Sequence, residues 1–504
     1  MSTTHAETLR FTLGLKVRVL RQERGLQLSQ LAQRAQMAVS YLSEIEKGKK
    51  FPKPEKLLEL ARALDVSYDE LVSQQVDGRL GAVRSVLDSE WFREFPFHLF
   101  GIDAKDVFSL VTRDTDRAGA LLRTFFEIGL AYDLGVEQFL LAALRSYQQL
   151  SHNHFEDLEE AAGEFRRQAK LPAMPPPGAE ELERELIRRW GYEIDRTTLA
   201  THPELSFLRS LYVPGDPPRL LVNGRLMPTQ AAFVLAREIG FRHLGASERP
   251  VTSSWIKVES FDQVLNNFRA SYFAGALLID GEKLGRDLDR LFGRPAWQPA
   301  ELLRLLVRWR STPETFFHRL TEVLPHRFGL EQLFFLRFAQ PAGTDRARLT
   351  KLLNLSRVAV PHGLGLAEAY CRRWPALALL APPPDVDPAS ILVDAAYQHF
   401  QSEEAAFLVL TASRPLALNP GARSTVALGV LADDTLRQTL RFAADPALRR
   451  LEVDLTCERC PLPLEACAER VAPPRLHQEQ LDVARRERAV REVSERLKRR
   501  GRSS

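Results

Sequence analysis

The stretch RQERGLQLSQLAQRAQMAVSYLSEIEKGKK, residues 21–50, decides how the chain begins its fold. It opens at the end of a helix that stops at Gly25. The apolar positions of that helix recur at three- and four-residue spacing, at Leu9, Leu13, Val17 and Leu20. The same pattern predicts a second short helix over 28–35 and a third over 39–48. Two short helices joined by a tight turn form a helix-turn-helix unit.

Further apolar residues after Pro52 and Pro54 close a small core around this unit. They are Leu57, Leu58, Ala61, Leu64, Val66 and Leu71. The segments RQERGLQLSQLA, SYLSEIEKGKK and LLELARALDVSYDEL resemble the Cro/phage-repressor (XRE) helix-turn-helix domain. That resemblance implies that the third helix lies in the major groove of double-stranded DNA. It places Val39, Ser40, Ser43 and Glu44 at base edges, and Lys47, Lys49 and Lys50 at phosphates.

Two positions depart from the family pattern. Leu28 replaces a Gln that usually contacts phosphate, and Ala38 replaces a Ser or Thr that usually caps the third helix. A missing cap costs about 1 kcal/mol, so we expect the isolated domain to bind DNA weakly. The alternative is that the fold serves protein contacts only. The clustered lysines favour DNA over that alternative.

Length and composition predict a multidomain α+β protein. The chain has 504 residues, 45% of them hydrophobic and 27% charged, which suits three or four folded domains and excludes a disordered chain. It contains no apolar run long enough to span a membrane, and basic residues interrupt the amino terminus, so we expect a cytoplasmic protein without membrane partners. The net charge of +4 says little about partners, because the position of the charges decides.

We predict an all-α helix-turn-helix domain over 1–75 and a helical linker or dimerisation segment over 76–170. An apolar face over 118–130 is too broad for a lone surface helix and must pack on something. Because repressors of this type usually read two half-sites, a homodimer contact is one interpretation of the segment. A helical spacer within one chain is the other. The proline-rich LPAMPPPG at 171–178 predicts a domain boundary.

Residues 179–285 resemble a degenerate zincin, the ImmA/IrrE-type metallopeptidase domain. In that family a helix carries His-Glu-x-x-His, which supplies two zinc ligands and a general base. Here PTQAAFVLAREIGFRHLG has Arg237 and Phe241 at the two ligand positions, and neither binds zinc. We therefore expect no metal at this position and no enzyme activity, with Glu238 as a hydrogen-bonded structural residue. His243 lies about 200° from Phe241 around the helix and cannot replace it.

Residues 286–473 are predicted to form an α/β sensory-type domain that holds a small molecule in a mostly apolar pocket. A basic helix or tail follows over 474–504. The strand candidates are LEQLFFLRFA, ASILVDAAYQ, EAAFLVLTASRPLAL and RSTVALGVL. The last segment of the domain carries Cys457, Cys460 and Cys467 in a C-x2-C-x6-C pattern that suits one metal ion or cluster.

The cysteines leave two interpretations open. Cys371 completes a four-cysteine site for zinc or an iron–sulfur cluster if the fold brings it in, with Asp454 and His362 as rival fourth ligands. The alternative is four reduced cysteines, some of them buried in the core.

The order of the parts resembles one architecture over nearly the whole chain, that of the short-chain fatty acyl-CoA transcriptional regulators. The segments that carry the resemblance are the helix-turn-helix, LRSYQQL, NHFEDLE, YCRRW and CERC with its following cysteine. The resemblance implies an acyl-CoA or related effector and an iron–sulfur cluster on the cysteines.

Three functions therefore compete. The first is a sequence-specific transcriptional regulator whose DNA binding is modulated by a metabolite or by a metal site. The second is a metal-dependent peptidase of the ImmA/IrrE type, and the third is an antitoxin-like or phage-defence regulator. The long cysteine-bearing domain favours the first.

Overall fold

A computed structural model describes residues 2–72, 95–100, 136–252, 260–341, 344, 347–356, 368–381 and 385–500. The chain divides into two compact units, Met1–Ala143 and Leu144–Ser504, which are described separately. The predicted apolar face at 118–130 and the candidate ligand His362 lie outside the described residues. Within the described ranges, no helix has both the length and the apolar character needed to cross a membrane.

The first unit begins with the helices of the predicted helix-turn-helix. They are α1 (Ser2–Glu23), α2 (Leu28–Arg34), α3 (Val39–Glu46), α4 (Pro54–Ala63) and α5 (Tyr68–Val72). Their apolar faces meet in one core, which includes the predicted inward residues Leu13, Val17, Leu31, Leu42, Ile45, Leu57 and Leu64. The predicted helices are confirmed, and α1 extends further toward the amino terminus than the apolar pattern shows. A short 3-10 helix, Phe97–Phe100, is also described.

The second unit opens with helices packed on a small sheet. The unit boundary lies within α6 (Val136–Leu150). The elements that follow are α7 (Glu156–Gln168), α8 (Ala179–Trp190), β1 (Glu193–Asp195), α9 (Thr198–Thr201), β2 (Ser210–Val213), β3 (Arg219–Val222), α10 (Pro228–His243) and α11 (Phe261–Leu278). The sheet has the order β1-β3-β2, with β1 parallel and β2 antiparallel to β3. Gly240 lets α10 approach α11, because a Cβ there would lie 3.0 Å from the Ala270 carbonyl oxygen.

Three more helices lead into a larger sheet. The helices are α12 (Gly281–Phe292), α13 (Pro299–Arg308) and α14 (Pro313–Phe328). The strands and remaining helices are β4 (Leu333–Gln340), β5 (Arg348–Asn354), α15 (Pro375–Ala378), β6 (Leu392–Phe400), β7 (Ala405–Pro415), β8 (Arg423–Leu431), α16 (Asp434–Thr439), β9 (Arg449–Val453) and α17 (Arg475–Arg500). Short 3-10 helices occupy Arg441–Ala444 and Leu464–Ala466. All four predicted strand segments contain strands of this sheet.

The six-stranded sheet has the order β5-β4-β8-β7-β6-β9, antiparallel except for the β6–β9 pair. Its two faces have different neighbours because side chains alternate along each strand. Leu333 and Phe335 of β4 belong to the large core that also contains α12, α13 and α14. Phe334 and Phe338 belong to a second core with Cys371 and Trp374. We call these surfaces the helix face and the cysteine face.

One hydrophobic core runs from Phe155 in the loop before α7 to Leu448 before β9. It includes residues on both sides of the proline-rich segment 171–178 and on both sides of position 285. The helices of the zincin-like segment and the helix face of the large sheet therefore share their apolar interior. The domain boundaries proposed from the sequence stay predictions.

Candidate functional site

The residues predicted to contact DNA lie on and just after α3. Val39 and Ser40 in its first turn are exposed, and Ser43 and Glu44 are partly exposed. Lys47, Lys49 and Lys50 follow the helix and are all exposed. Leu42 and Ile45 are fully buried on the opposite side of the helix. The structure thus brings all seven predicted residues to one accessible region.

Two of these residues contact each other. The Lys50 Nζ lies 2.8 Å from Glu44 Oε2, and it also lies 5.7 Å from the centre of the Tyr41 ring. The hydrogen bond from Lys50 lowers the pKa of Glu44 and raises that of Lys50. Sequence reasoning assigned Glu44 to a base and Lys50 to a phosphate. In this structure each is the partner of the other, and the two DNA contacts stay predictions.

Buried contacts that sequence reasoning missed fix α3 in place. The Arg21 guanidinium of α1 pairs with the Glu46 carboxylate through bonds of 2.7 and 3.0 Å, and it donates a third bond of 2.8 Å to the Leu26 carbonyl. Gly14 lies against the end of α3, since a Cβ there would be 2.2 Å from the Ile45 carbonyl oxygen. These contacts hold α3 against α1.

The two departures from the family pattern have different structural roles. Leu28 packs its side chain against the core of the unit, so it contributes apolar burial at this position. Ala38 precedes α3 and offers no side-chain cap, as its side-chain chemistry requires. At α2 the Gln30 side chain accepts a 2.8 Å bond from the Gln27 backbone. Of the two helices, α2 therefore has a side-chain hydrogen bond at its amino terminus and α3 has none.

At the zincin-like position, α10 carries a buried ion pair. Glu238 receives two 2.6 Å bonds from Arg249, and the Tyr192 hydroxyl donates a further bond to it. The Arg249 guanidinium carbon lies over the Tyr212 and Phe241 rings, 4.1 Å from each ring centre. Glu238 is therefore a hydrogen-bonded structural residue, which agrees with the sequence-based expectation.

The residues that the sequence comparison aligned with zinc-ligand positions make contacts of other kinds. Arg237 lies 3.5 Å from the Asn267 side-chain oxygen and from the Ser210 hydroxyl, and burial lowers its pKa to about 10. Phe241 is buried beneath Arg249. His243 packs edge-on against Phe165, and burial lowers its pKa. An arginine and a phenyl ring supply no zinc ligand, and the His243 ring packs between Phe165 and Phe273.

Comparison with known proteins identifies the first unit. The helix-turn-helix family HTH_3 matches residues 17–71, which run from α1 to α5. The HTH-type transcriptional regulator SinR of Bacillus licheniformis is 36% identical over 84 residues, or 16% of this chain and 69% of SinR. This chain belongs to the HTH-type transcriptional regulators.

Two other comparisons cover a smaller share of the related protein or show lower sequence identity. The HTH-type transcriptional regulator DdrOP3 of Deinococcus deserti is 42% identical over 57 residues, which are 11% of this chain. This chain spans only 44% of the length of DdrOP3. A solved Mycobacterium tuberculosis transcriptional regulator aligns with a TM-score of 0.46 and 19% identity over 65% of this chain and 93% of its own.

The four cysteines of this regulator are free and buried. A β-bridge pairs Tyr370 with Thr456, the Cys371 backbone donates to the Leu455 carbonyl at 3.3 Å, and the Cys457 backbone donates to the Ala369 carbonyl at 2.8 Å. Cys371 and Cys457 are therefore diagonal neighbours that project from the same face of this strand pair. The fold brings in Cys371, as a four-cysteine site requires.

Ion pairs and backbone bonds fix the loops of this cysteine region. Arg459 makes two 2.8 Å bonds to Glu368, and Arg470 donates to the Cys457 and Leu462 carbonyls at 3.0 and 2.7 Å. The predicted rival ligand Asp454 is fully buried and accepts 2.6 Å bonds from Ser402 and from the Leu455 backbone. Its oxygens already have partners.

Four thiols form a donor set that both a zinc ion and an iron–sulfur cluster take. Zinc holds four thiolates at about 2.3 Å, which places neighbouring sulfurs about 3.8 Å apart. Within the described residues, three metal-binding side chains come within 4.8 Å of one another only at His154, Glu156 and His326. No three of the described cysteine sulfurs meet this spacing, and an iron–sulfur cluster takes its thiolates on separate irons, so both the zinc site and the cluster stay predictions. Burial raises the pKa of the Cys371 thiol to about 11.

A cleft of about 240 Å³ lies where the starts of α8, α10 and α14 meet, lined in part by Pro177, Pro228, Trp309 and Thr312. Its size falls below the range of about 300–1,000 Å³ that small-molecule sites usually have. The apolar effector pocket predicted from the sequence stays a prediction.

Proposed function

We propose that this regulator binds double-stranded DNA sequence-specifically through α3 and acts as a ligand-responsive transcription factor. The observation that carries the proposal is the accessible row of predicted contact residues along α3, with three exposed lysines directly after it. Exposed lysines at the end of a recognition helix supply phosphate contacts. The side chains at the start of the helix supply base contacts.

Each exposed side chain of α3 suits a particular contact in the major groove. Val39, 46% exposed, offers an apolar surface to a thymine methyl group, and the Ser40 and Ser43 hydroxyls donate or accept. Glu44 is able to accept from the amino group of cytosine once Lys50 turns from it toward a phosphate. The Glu44–Lys50 pair therefore has to open for both residues to meet DNA.

The proposal includes a homodimer and a regulatory input. Two copies of α3 would read half-sites one helical turn apart, about 34–36 Å, and would offset the weak binding expected of one domain. An effector, by resemblance an acyl-CoA, would shift the population between two arrangements because it binds them unequally. We assign no catalytic role to the chain and expect it to act in the cytoplasm.

Cys371, Cys457, Cys460 and Cys467 would hold an iron–sulfur cluster. When bound, such a cluster supplies redox chemistry to the cysteine face of the large sheet. The four thiols must lose their protons to bind it, which the raised pKa of Cys371 opposes in the metal-free chain. The Arg459–Glu368 and Arg470 contacts hold the surrounding loops in either state.

DNA selection from a random pool, followed by fluorescence anisotropy over a series of salt concentrations, tests the proposal. We expect one enriched, two-fold symmetric motif. Lys49→Gln should weaken binding to all sequences and reduce the slope of log K against log salt by about 0.9 per recognition helix.

The control is Lys56→Gln, an equal charge change in α4, where Lys56 pairs with Glu59. It should leave the salt slope unchanged. Absence of any enriched sequence for the full chain, or equal slopes for Lys49→Gln and wild type, would contradict DNA reading by α3.

A further inference from the structure

A group of cations surrounds one carboxylate on the helix face of the large sheet. Lys351 Nζ lies 2.6 Å from Glu314 Oε1, and Arg337 Nε and Arg209 Nη2 lie 3.2 and 3.6 Å from Oε2. The charge of Arg414 also acts on Glu314, and those of Arg209 and Arg337 act on Arg414. Among the described residues, four cations thus share one carboxylate, and we call them the cation cluster.

Strand register explains why three of the cations lie together. Arg337 of β4 pairs with Lys351 of β5 and with Val426 of β8, and Val426 pairs with Ala412 of β7. Arg414 lies two residues beyond Ala412 on the same strand. Because alternate residues share a face, Arg337, Lys351 and Arg414 all project from the helix face. Glu314 reaches them from the first turn of α14, whose amino-terminal end adds a positive dipole.

Arg414 is the member whose charge has least compensation. It is 5% exposed, and its Nη1 atom is buried without a hydrogen-bond partner. In the part of the chain that the structure describes, Arg414 forms no ion pair. Its pKa is lowered to about 10, mainly by burial; Glu314 opposes this shift, and the positive charges of Arg209 and Arg337 add to it. A buried cation without a partner is costly, so proteins rarely keep one without a use.

Arg337 is also incompletely paired. Arg337 Nε lies close to Glu314 but is not aligned for a hydrogen bond, and its Nη1 donates to the neutral Thr350 hydroxyl at 2.7 Å. Glu314 neutralises at most one of the four positive charges. The side chains of Lys351 and Arg209 are 52% and 34% exposed, so one side of the cation cluster contacts solvent. The excess positive charge therefore favours binding of an anion, and the exposed side chains of Lys351 and Arg209 let an anion reach the cluster from solvent.

We propose that the cation cluster is a binding site for a small-molecule oxyanion with at least two negative charges, a phosphate ester or a dicarboxylate. Arg414 and Arg337 donate hydrogen bonds to its oxygens, and Lys351 leaves Glu314 to contact the ligand from the solvent side. Guanidinium groups suit this role because they bind two oxygens of one anion at once. The assignment of the cation cluster as the effector site rests on the proposed function, whereas the binding of an anion there does not.

Isothermal titration calorimetry of the full chain with inorganic phosphate, pyrophosphate or malonate, at about 1 mM and without DNA, tests the site. We expect saturable binding of at least one anion. Tighter binding of pyrophosphate assigns a phosphorylated ligand, and tighter binding of malonate assigns a dicarboxylate. Because no DNA is present, a chain that fails to bind DNA still reports on this site.

Arg414→Gln and the more exposed Lys351→Gln should each weaken anion binding about tenfold or more, since each removes a charged hydrogen bond. Arg304→Gln is the matched control, because Arg304 is an exposed arginine on α13 that pairs with Glu301. It should bind like wild type. No binding of any of the three anions, or equal binding by Lys351→Gln and wild type, overturns the proposal.

The stability of Arg414→Gln without anion gives a second readout. If Arg414 serves a ligand, removing its buried charge leaves the melting temperature unchanged or raises it, and pyrophosphate then stabilises wild type more than the variant. A lower melting temperature without anion, together with equal stabilisation by pyrophosphate, would show a purely structural arginine and overturn the proposal.

Discussion

Replacing Gly14 by alanine tests whether the packing of α1 on α3 sets the position of the recognition helix. A Cβ at residue 14 would lie 2.2 Å from the Ile45 carbonyl oxygen, 3.1 Å from the Gly48 nitrogen and 3.2 Å from the Glu46 carbonyl carbon. All three are backbone atoms, so no side-chain rotation relieves the contact. The end of α3 must move, or the two helices must separate.

The two effects on stability have opposite signs. Alanine is favoured over glycine inside a helix by about 1 kcal/mol, which alone would stabilise α1. Overpacking of this kind costs about 1–3 kcal/mol and occasionally more, and a contact of 2.2 Å with rigid backbone belongs at the upper end. We therefore expect Gly14→Ala to destabilise the unit by about 1–2 kcal/mol, which corresponds to a factor of about 5–30 in the local opening equilibrium.

Hydrogen–deuterium exchange of the full chain, read by mass spectrometry, measures this locally. Peptides covering α1 and α3 should exchange about 5–30 times faster in Gly14→Ala. Gly163→Ala in α7 is the matched control, because its Cβ would meet only the flexible end of Arg167 at 3.5 Å. There helix propensity should prevail and exchange should slow. Unchanged or slower exchange of α3 in Gly14→Ala would refute the packing argument.

Two further variants test the second unit, each by urea unfolding followed by tryptophan fluorescence. Glu238→Gln breaks a buried pair with Arg249, so it should cost about 3 kcal/mol; an unchanged midpoint would contradict its structural role. Hydrogen bonds from Thr198 lower the pKa of Asp195 to about 2. Asp195 therefore contributes stability above its unfolded pKa of about 3.9, and this contribution is lost as the pH falls toward 2. Asp195→Asn should destabilise the protein at pH 6 and do so less at pH 3; an equal effect at both would count against the linkage.

The helix-turn-helix was predictable because its evidence is local. The apolar spacing of Leu13, Val17, Leu42 and Ile45 depends only on neighbouring turns of helix, and all four side chains are buried as predicted. The predicted strands held for the same reason, since long apolar runs in this chain become strands buried on both faces. What the spacing cannot give is a partner, and for that reason the Glu44–Lys50 pair was missed.

Contacts between segments that are distant along the chain could not be predicted from the sequence. Cys371 joins the other cysteines only through a bridge between residues 370 and 456, which no local pattern encodes. The cation cluster joins α14 to three strands in the same way. One signal was available: Arg337 interrupts the apolar run of β4, Arg414 lies near the end of the buried strand β7, and a charge in a buried strand points to a specific partner or ligand.

Strand β4 carries two unrelated chemistries on adjacent residues. Arg337 lies in the cation cluster, and Phe338 packs against Tyr370 and Trp374 on the cysteine face. A slip of one residue would turn Phe338 toward the cations and Arg337 into the aromatic core. Both errors are costly at once, so a one-residue slip of β4 is strongly disfavoured. The register of β4 therefore fixes the cation cluster on one face of the sheet and the aromatic core on the other at the same time.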